Sequence, residues 1–422
     1  EEAEDHYMEK GVLPGQRKRP KPLRDKKTGI ASRRHQLITA SVGANIDHFF
    51  SGEGLQVDSV PNIKMYKWTG ISTSEFKKLV QRCIDSRRFV APGVDVPVSE
   101  RKPGCGRGIP IPIGKKVFLA MEHLKAGRNG QASDTCFGIS TSTINQFIKK
   151  FVSFVSEILF PEEVYFDFEL LKQNEQTYAR LGVPGAAASI DGTKIDWLSC
   201  PTNMRRTCRN GRGQNKYGFN VQIACGQNRR ICHVGDLRGA AVNDLELYNL
   251  NELSDFVQND QRCKNFKYYH KNMDGDLVEK HGMYFITDGI YQKQHTLCGH
   301  RYLDILDVEE CNRRKQFNAY MASLRKDIEC TFGCIQQVYK VMQLPFIFKS
   351  VQTCNDVLRT CCYFWNLRLK HNGRYALGTE VEHFKVLNGE DEYYPHVHLG
   401  VPNALRYDDE ADDENAYAIH LE

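Results

Sequence analysis

With 422 residues, 41% of them hydrophobic and 10% aromatic, the chain has room for two or three domains and can bury a sizeable core. No apolar run approaches the roughly 18 residues of a membrane span and no signal-peptide pattern is present, so the fifteen cysteines point to a reducing, soluble compartment rather than a disulfide framework. The formal charge of +5 is too small to define a partner, and its distribution along the chain matters more.

Residues 1–60 read as a basic, mostly disordered tail. Gln16 to His35 carries nine Lys/Arg against one acid, including Arg17-Lys-Arg-Pro-Lys21. Such a segment cannot bury enough apolar area to order itself. It suits DNA phosphates or nuclear import, or is a plain solvated tail.

Residues 61–165 read as a helical region. Ser72 or Thr73 caps a helix with Phe76, Leu79, Val80 and Ile84 on one face. A basic Gly/Pro-rich linker, Arg101 to Pro110, follows. A helix-turn-helix is then expected: Lys115 to Ala126 with Val117, Phe118, Met121 and Leu124 inward, ended by Gly127 and Gly130. A short helix over Ala132 to Phe137 comes next, then a third helix capped by Ser140 with Ile144, Phe147, Ile148 and Phe151 inward. The outer face of the third helix carries Ser142, Thr143, Asn145, Gln146, Lys149 and Lys150. Small polar residues there suit base edges and the lysines suit phosphates, although a helical bundle with a polar exterior has the same pattern.

Residues 166–372 switch to strands. Ala186 to Ile190 reads as the first, ending at Asp191 with a turn at Gly192. Tyr217 to Cys225 reads as the second and Ile231 to Asp236 as the third. Asn243 caps a helix carrying Leu245, Leu247, Leu250 and Leu253. Met283 to Thr287 is the fourth strand, ending at Asp288-Gly289, and Phe317 to Val341 a long helix containing Glu329. A final helix within 345–372 places Val357, Leu358, Cys361 and Phe364 on one face. Three strands, a helix, a strand and a helix is the order of a ribonuclease-H-like core, so the expected class is α/β: a mixed-sheet core preceded by an all-α helix-turn-helix region. Residues 373–422 form a polar, acidic tail that includes Asp408 to Glu414.

Asp191 and Asp288 each end an apolar strand and precede Gly. On neighbouring strands, both carboxylates would project from one sheet edge. Leu324, Ile328 and Phe332 define the inward face of the long helix, with Glu329 beside it. Three carboxylates without His or Cys make a hard oxygen site suited to two Mg²⁺ or Mn²⁺ ions and to in-line phosphodiester chemistry. Arg325 and Glu329 are also spaced as an ordinary i,i+4 ion pair. Between the first two strands, Arg205, Arg206, Arg209, Arg212 and Lys216 form a basic loop suited to phosphates or simply solvated. The cysteines and His233 and His300 around the core raise zinc, but no pair of matched Cys-x₂-Cys motifs occurs. Trp197 reads as core.

Tyr284-Phe-Ile-Thr-Asp-Gly-Ile-Tyr291 and Leu324-Arg-Lys-Asp-Ile-Glu-Cys-Thr-Phe-Gly333 resemble the signatures of PIF/Harbinger-type transposases, particularly their plant-transposon-protein branch. Ser189-Ile-Asp-Gly-Thr-Lys-Ile195, with Trp197 and Cys200-Pro201, resembles the family's first block, and Gly239 to Asp244 its Asn-Asp block. The resemblance spans roughly 110–370. It implies a DDE nuclease whose catalytic and metal-holding triad is Asp191, Asp288 and Glu329, separated by 97 and 41 residues. It also implies two Mg²⁺ (or Mn²⁺) ions, cutting at transposon terminal repeats with strand transfer into a target, and a nuclear location. A Myb-like DNA-binding partner and homo-oligomers on DNA complete the implied picture. Two departures stand out. Lys194 replaces the usual His of the first block, where it could contact the scissile phosphate, and Cys330 replaces an Arg. Arg325 joins the candidate DNA contacts. Asp244 is a rival second carboxylate, set below Asp288 because it is expected to cap a helix. The alternatives are a domesticated DNA-binding protein that no longer cuts and a structural or zinc-dependent interaction protein.

Overall fold

A computed structural model describes residues 62–89, 113–127, 141–211, 216–271, 276–291, 295–299, 305 and 307–371. Both tails, the 101–110 linker, the expected helix at 132–137, the Ser140 cap, Arg212 and His300 lie outside the described residues.

Helices α1 (Asn62–Thr69), α2 (Thr73–Asp85), α3 (Ile113–Ala126) and α4 (Thr141–Phe154) come first. Ser72 caps α2 by accepting from the Glu75 backbone N–H, which satisfies one of the amides a helix start leaves unpaired. Phe76, Leu79, Val80 and Cys83 are its buried face. Ile84, expected inward, is exposed, because Cys83 one residue earlier takes the place against the core. Gly127, at φ +62°, ends α3 in the left-handed conformation glycine adopts without strain. A π-helical turn at Val155–Leu159 leads from α4 into α5 (Phe160–Glu163), and α6 (Phe168–Arg180) is capped by Asp167.

The principal sheet is mixed. Strand β1 (Ala186–Asp196) pairs antiparallel with β2 (Gly218–Cys225), which pairs antiparallel with β3 (Ile231–Val234) and with the short β4 (Arg238–Gly239). A second hairpin, β5 (Lys267–Lys271) with β6 (Leu277–His281), forms its own two-stranded sheet. On the other side of β1 lie β7 (Tyr284–Ile286) and β8 (Thr296–Leu297), both parallel, so the main order is β3-β2-β1-β7-β8.

Strand alternation sends neighbouring residues to opposite faces. Phe219, Val221, Ile223 and Cys225 pack with α10 (Val308–Val338), α11 (Val351–His371) and the N-terminal helices. Ile190, Ala224 and Phe285 pack against α6, α7 (Asp244–Asn249), α8 (Glu252–Asn259) and α9 (Gln261–Lys264). Trp197 is buried as expected, with its indole N–H donating 2.6 Å to the Phe348 carbonyl.

Several expectations shift. The first strand does not turn at Gly192; it continues to Asp196, held by β2 along that length. The expected helix from Asn243 breaks at Leu250, which is exposed, and restarts behind the Asn251 cap, whose side chain competes for the backbone amides there. The long helix starts nine residues earlier than expected, at Val308 after the Asp307 cap, and ends at Val338.

Candidate functional site

The parallel pairing of β1 with β7 places two carboxylates. Its last pair is Ser189 with Ile286, and Asp191 and Asp288 each lie two residues further on. Beyond that pair β1 has lost its β7 neighbour while β2 still holds its other edge. A 3₁₀ turn at Gly289–Tyr291 follows Asp288.

The third acid comes from α10, whose Met321, Leu324 and Ile328 are buried as the helix packs on the sheet. Arg325 reaches from this helix with its Nη2 3.3 Å from Asp191 Oδ2 and 3.8 Å from Glu329 Oε1. Glu329 itself is largely exposed. Burial pushes the Asp191 carboxyl above its ordinary range. Arg325 and the Gly192 N–H, 2.8 Å away, draw it back only in part, and the charges of Asp288 and Glu329 add to the rise. Asp288 and Glu329 thus both act on Asp191, and the Arg325 guanidinium lies between Asp191 and Glu329. Among the described residues, no three His, Cys, Asp or Glu side chains stand close enough to hold a metal ion as they are. The donor set is nevertheless all oxygen, the chemistry that Mg²⁺ and Mn²⁺ require.

Gly192 and Asp244 take roles other than the turn and the helix cap expected of them. Asn243 caps α7, accepting from Glu246 N, which leaves Asp244 free of the capping role expected of it. The Asp244 carboxylate accepts from Asn220 Nδ2 at 2.9 Å and lies over Gly192, where an added Cβ would stand 2.7 Å from its Oδ1. Glycine is needed here for close approach, not for a turn. Beside it, the buried Tyr291 hydroxyl accepts from Gln222 Nε2 at 3.1 Å. Burial pushes its pKa up, Gln222 opposes this, and Asp244, Asp191 and Asp288 add to the rise. The signal for these partners was present: Asn220 and Gln222 are two amides at alternate positions in an otherwise apolar strand.

The other candidate contacts are spread over the surface. Ser142, Asn145, Gln146, Lys149 and Lys150, together with Thr143, occupy the exposed face of α4. Arg205, Arg206, Arg209 and Lys216 are exposed, with the Arg205 guanidinium 5.3 Å from the Tyr217 ring centre. Lys194 belongs, by alternation, to the face of β1 that carries Gly192 and lies opposite Asn220 on β2. Arg325 points into the acid group rather than away from the helix, and its side chain is mostly buried.

Residues 167–376, about half the chain, match the family model described as plant transposon protein. This stretch is transposon-related. No curated protein and no solved structure matches the chain. The transposon-related stretch begins at α6 and includes the whole sheet, α10 and α11, so all three candidate acids and Asp244 fall inside it. Such a family implies interaction with DNA. No helix among the described residues is long and apolar enough to cross a membrane.

Proposed function

We propose that the chain is a PIF/Harbinger-type DDE transposase that cuts double-stranded DNA at transposon terminal repeats and joins the freed 3′-hydroxyl to a target site. The observation that carries this reading is the register of β1 and β7, which sets Asp191 and Asp288 at equivalent positions beyond neighbouring parallel strands. Arg325 links the helix bearing Glu329 to the same place. The order of three antiparallel strands followed by two parallel ones supports a ribonuclease-H-like core.

Asp191, Asp288 and Glu329 would hold Mg²⁺ or Mn²⁺, which supplies nucleophile activation and stabilises the leaving oxygen in phosphodiester attack. The remaining work falls to the chain's own side chains. Arg325 neutralises Asp191 and Glu329 in the present arrangement and must release them when a cation is held. The exposed lysines of α4 and the exposed Arg205, Arg206, Arg209 and Lys216 offer phosphate contacts. The same reading carries a nuclear location, a Myb-like partner and homo-oligomers on the DNA. One observation favours binding without cutting, as in a domesticated protein: the Arg325 guanidinium already spans two of the three acids.

The test is cleavage of a terminal-repeat duplex with Mg²⁺, with nuclear extract present to supply a partner. Wild type should nick the duplex and Asp288→Ala should not. Wild-type protein that shifts the duplex in a gel yet never cuts it, in Mg²⁺ or Mn²⁺, would leave the binding role.

A further inference from the structure

Past the end of β1 the chain is held on both edges. Trp197 N–H donates to the Tyr217 carbonyl at 2.7 Å on one side, and Leu198 N–H to the Phe346 carbonyl at 3.0 Å on the other. Ser199 Oγ donates to the Ile347 carbonyl at 2.8 Å. Between the last residues of β1, Asn210, Lys216 and the 3₁₀ turn at Lys340–Met342 lies a cavity of about 350 Å³. That is the size of a small-ligand site. Its walls divide by chemistry. Met342 and Leu344 supply apolar surface, Asn210, Gln336 and Gln343 supply side-chain amides, and Asp196 supplies a carboxylate. Lys194 and Lys216 add two positive charges.

The polar wall is rigid. Asn210 is 3% exposed, its backbone N–H donates to the Lys216 carbonyl at 2.8 Å, and its Nδ2 donates to Asp196 Oδ1 at 3.1 Å. A carboxylate has about four acceptor sites, so one such bond leaves Asp196 able to accept more. Amides and a carboxylate are the groups that pair with base edges, apolar carbon suits a base face, and lysines suit phosphates. A base reaches a cavity of this kind only by leaving the stack, and the gap it leaves is costly. Leu198 stands where it can fill that gap. The β1–β2 register, carried two residues on from Asp196 and Gly218, sets it opposite Lys216 of the cavity wall. It is 74% exposed on its fixed backbone, and Ile347 is exposed on the neighbouring segment. Apolar side chains in such a setting wedge between base steps. The exposed Arg205, Arg206, Arg209 and Lys349 extend the positive charge around both features.

We propose that this cavity receives a single nucleobase turned out of a DNA duplex, and that Leu198 enters the stack in its place. The inference rests on the DNA-binding part of the reading above and requires neither a metal ion nor cutting. Asn210, Gln336, Gln343 and Asp196 meet the edge of the base, Met342 and Leu344 meet its face, and Lys194 and Lys216 hold the flanking phosphates.

The experiment is binding of the full chain, in EDTA, to three duplexes of one sequence: fully paired, with one unpaired 2-aminopurine, and with an abasic residue at that place. The abasic duplex is as easily bent as the unpaired one but has no base to offer. Wild type should bind the 2-aminopurine duplex at least about fivefold more tightly than the abasic one, and the emission of 2-aminopurine should rise as the base leaves the stack. The double variant Gln336→Ala/Gln343→Ala should lose that preference and keep its affinity for the paired duplex. Leu198→Ala should lose most of the rise in emission, and Leu198→Phe should restore it. If the double variant does not fold, the Leu198 pair decides. Equal binding of the 2-aminopurine and abasic duplexes by wild type overturns the proposal and leaves the DNA reading intact, as does a preference that survives in every variant. Free dAMP bound as tightly as the 2-aminopurine duplex would make this a mononucleotide site and overturn it too. A wild type that binds none of the duplexes overturns both.

Discussion

Replacing Gly192 with Ala tests the packing of β1 against α7 without reference to catalysis. The new Cβ would meet Asp244 Oδ1 at 2.7 Å, about 0.7 Å inside the 3.4 Å at which ordinary contact begins. Overpacking of this kind costs about 1–3 kcal/mol. Loss of glycine's freedom in the unfolded chain returns about 0.4–1 kcal/mol, so the net destabilisation should be about 1–2 kcal/mol. Asp244→Ala removes the carboxylate that is struck. It also forfeits the Asn220 bond, worth about 1 kcal/mol, while Asn220 keeps its 3.0 Å bond to the Val242 carbonyl. In the double variant the clash is gone, so its cost should approach that of Asp244→Ala alone. Urea unfolding of the four proteins should therefore show a coupling of about 1–2 kcal/mol, well above the roughly 0.3–0.5 kcal/mol expected of independent sites. Additive effects would mean that Asp244 does not lie over Gly192, and the account of that face of β1 would fail.

Two further outcomes concern stability. Burial lowers both His123 and His233 from 6.5 to about 4, with Arg359 adding to the fall at His233. The fold thus favours their neutral form, and stability should be full above pH 6.5, fall as the pH drops through the window and level off below about 4. Each can contribute up to about 3 kcal/mol, taking 1.36 kcal/mol per pKa unit. Urea midpoints across pH 4–8 measure this, and a shallower fall in His123→Leu/His233→Leu would confirm its origin, whereas an unchanged slope would refute it. Trp197→Ala should cost about 3–5 kcal/mol, because the ring is buried 4.5 Å from Phe219 and anchors the Phe348 carbonyl. A loss under 1 kcal/mol would contradict that packing.

Much of the fold was legible because burial leaves a period in the sequence. The alternation of Phe219, Val221 and Ile223 marked β2, and Leu324 and Ile328 marked the inner face of α10. The two aspartates could be paired because each follows a short apolar run before Gly. What escaped was decided by partners distant in sequence. Gly192 looks like a turn until Asp244, 52 residues later, is seen to need the space. The hairpin of β5 and β6 is missed because its strands are largely exposed and have no apolar face to reveal them. Arg325 reads from the sequence as a DNA contact or as half of a solvated i,i+4 pair with Glu329, and nothing local shows Asp191 across the gap.

The N-terminal helices share one continuous interior with the sheet and α11. Phe151 stacks on Phe364, Thr360 donates to the Val152 carbonyl, and Asn366 donates to the Glu163 carbonyl. The stretch that matches the transposon family opens only at residue 167. A fragment cut at that point would carry all the candidate acids yet leave the aromatic side of α11 bare, and it should precipitate when expressed. The inherited module and the unit that folds have different borders, and any expressed fragment must respect the second.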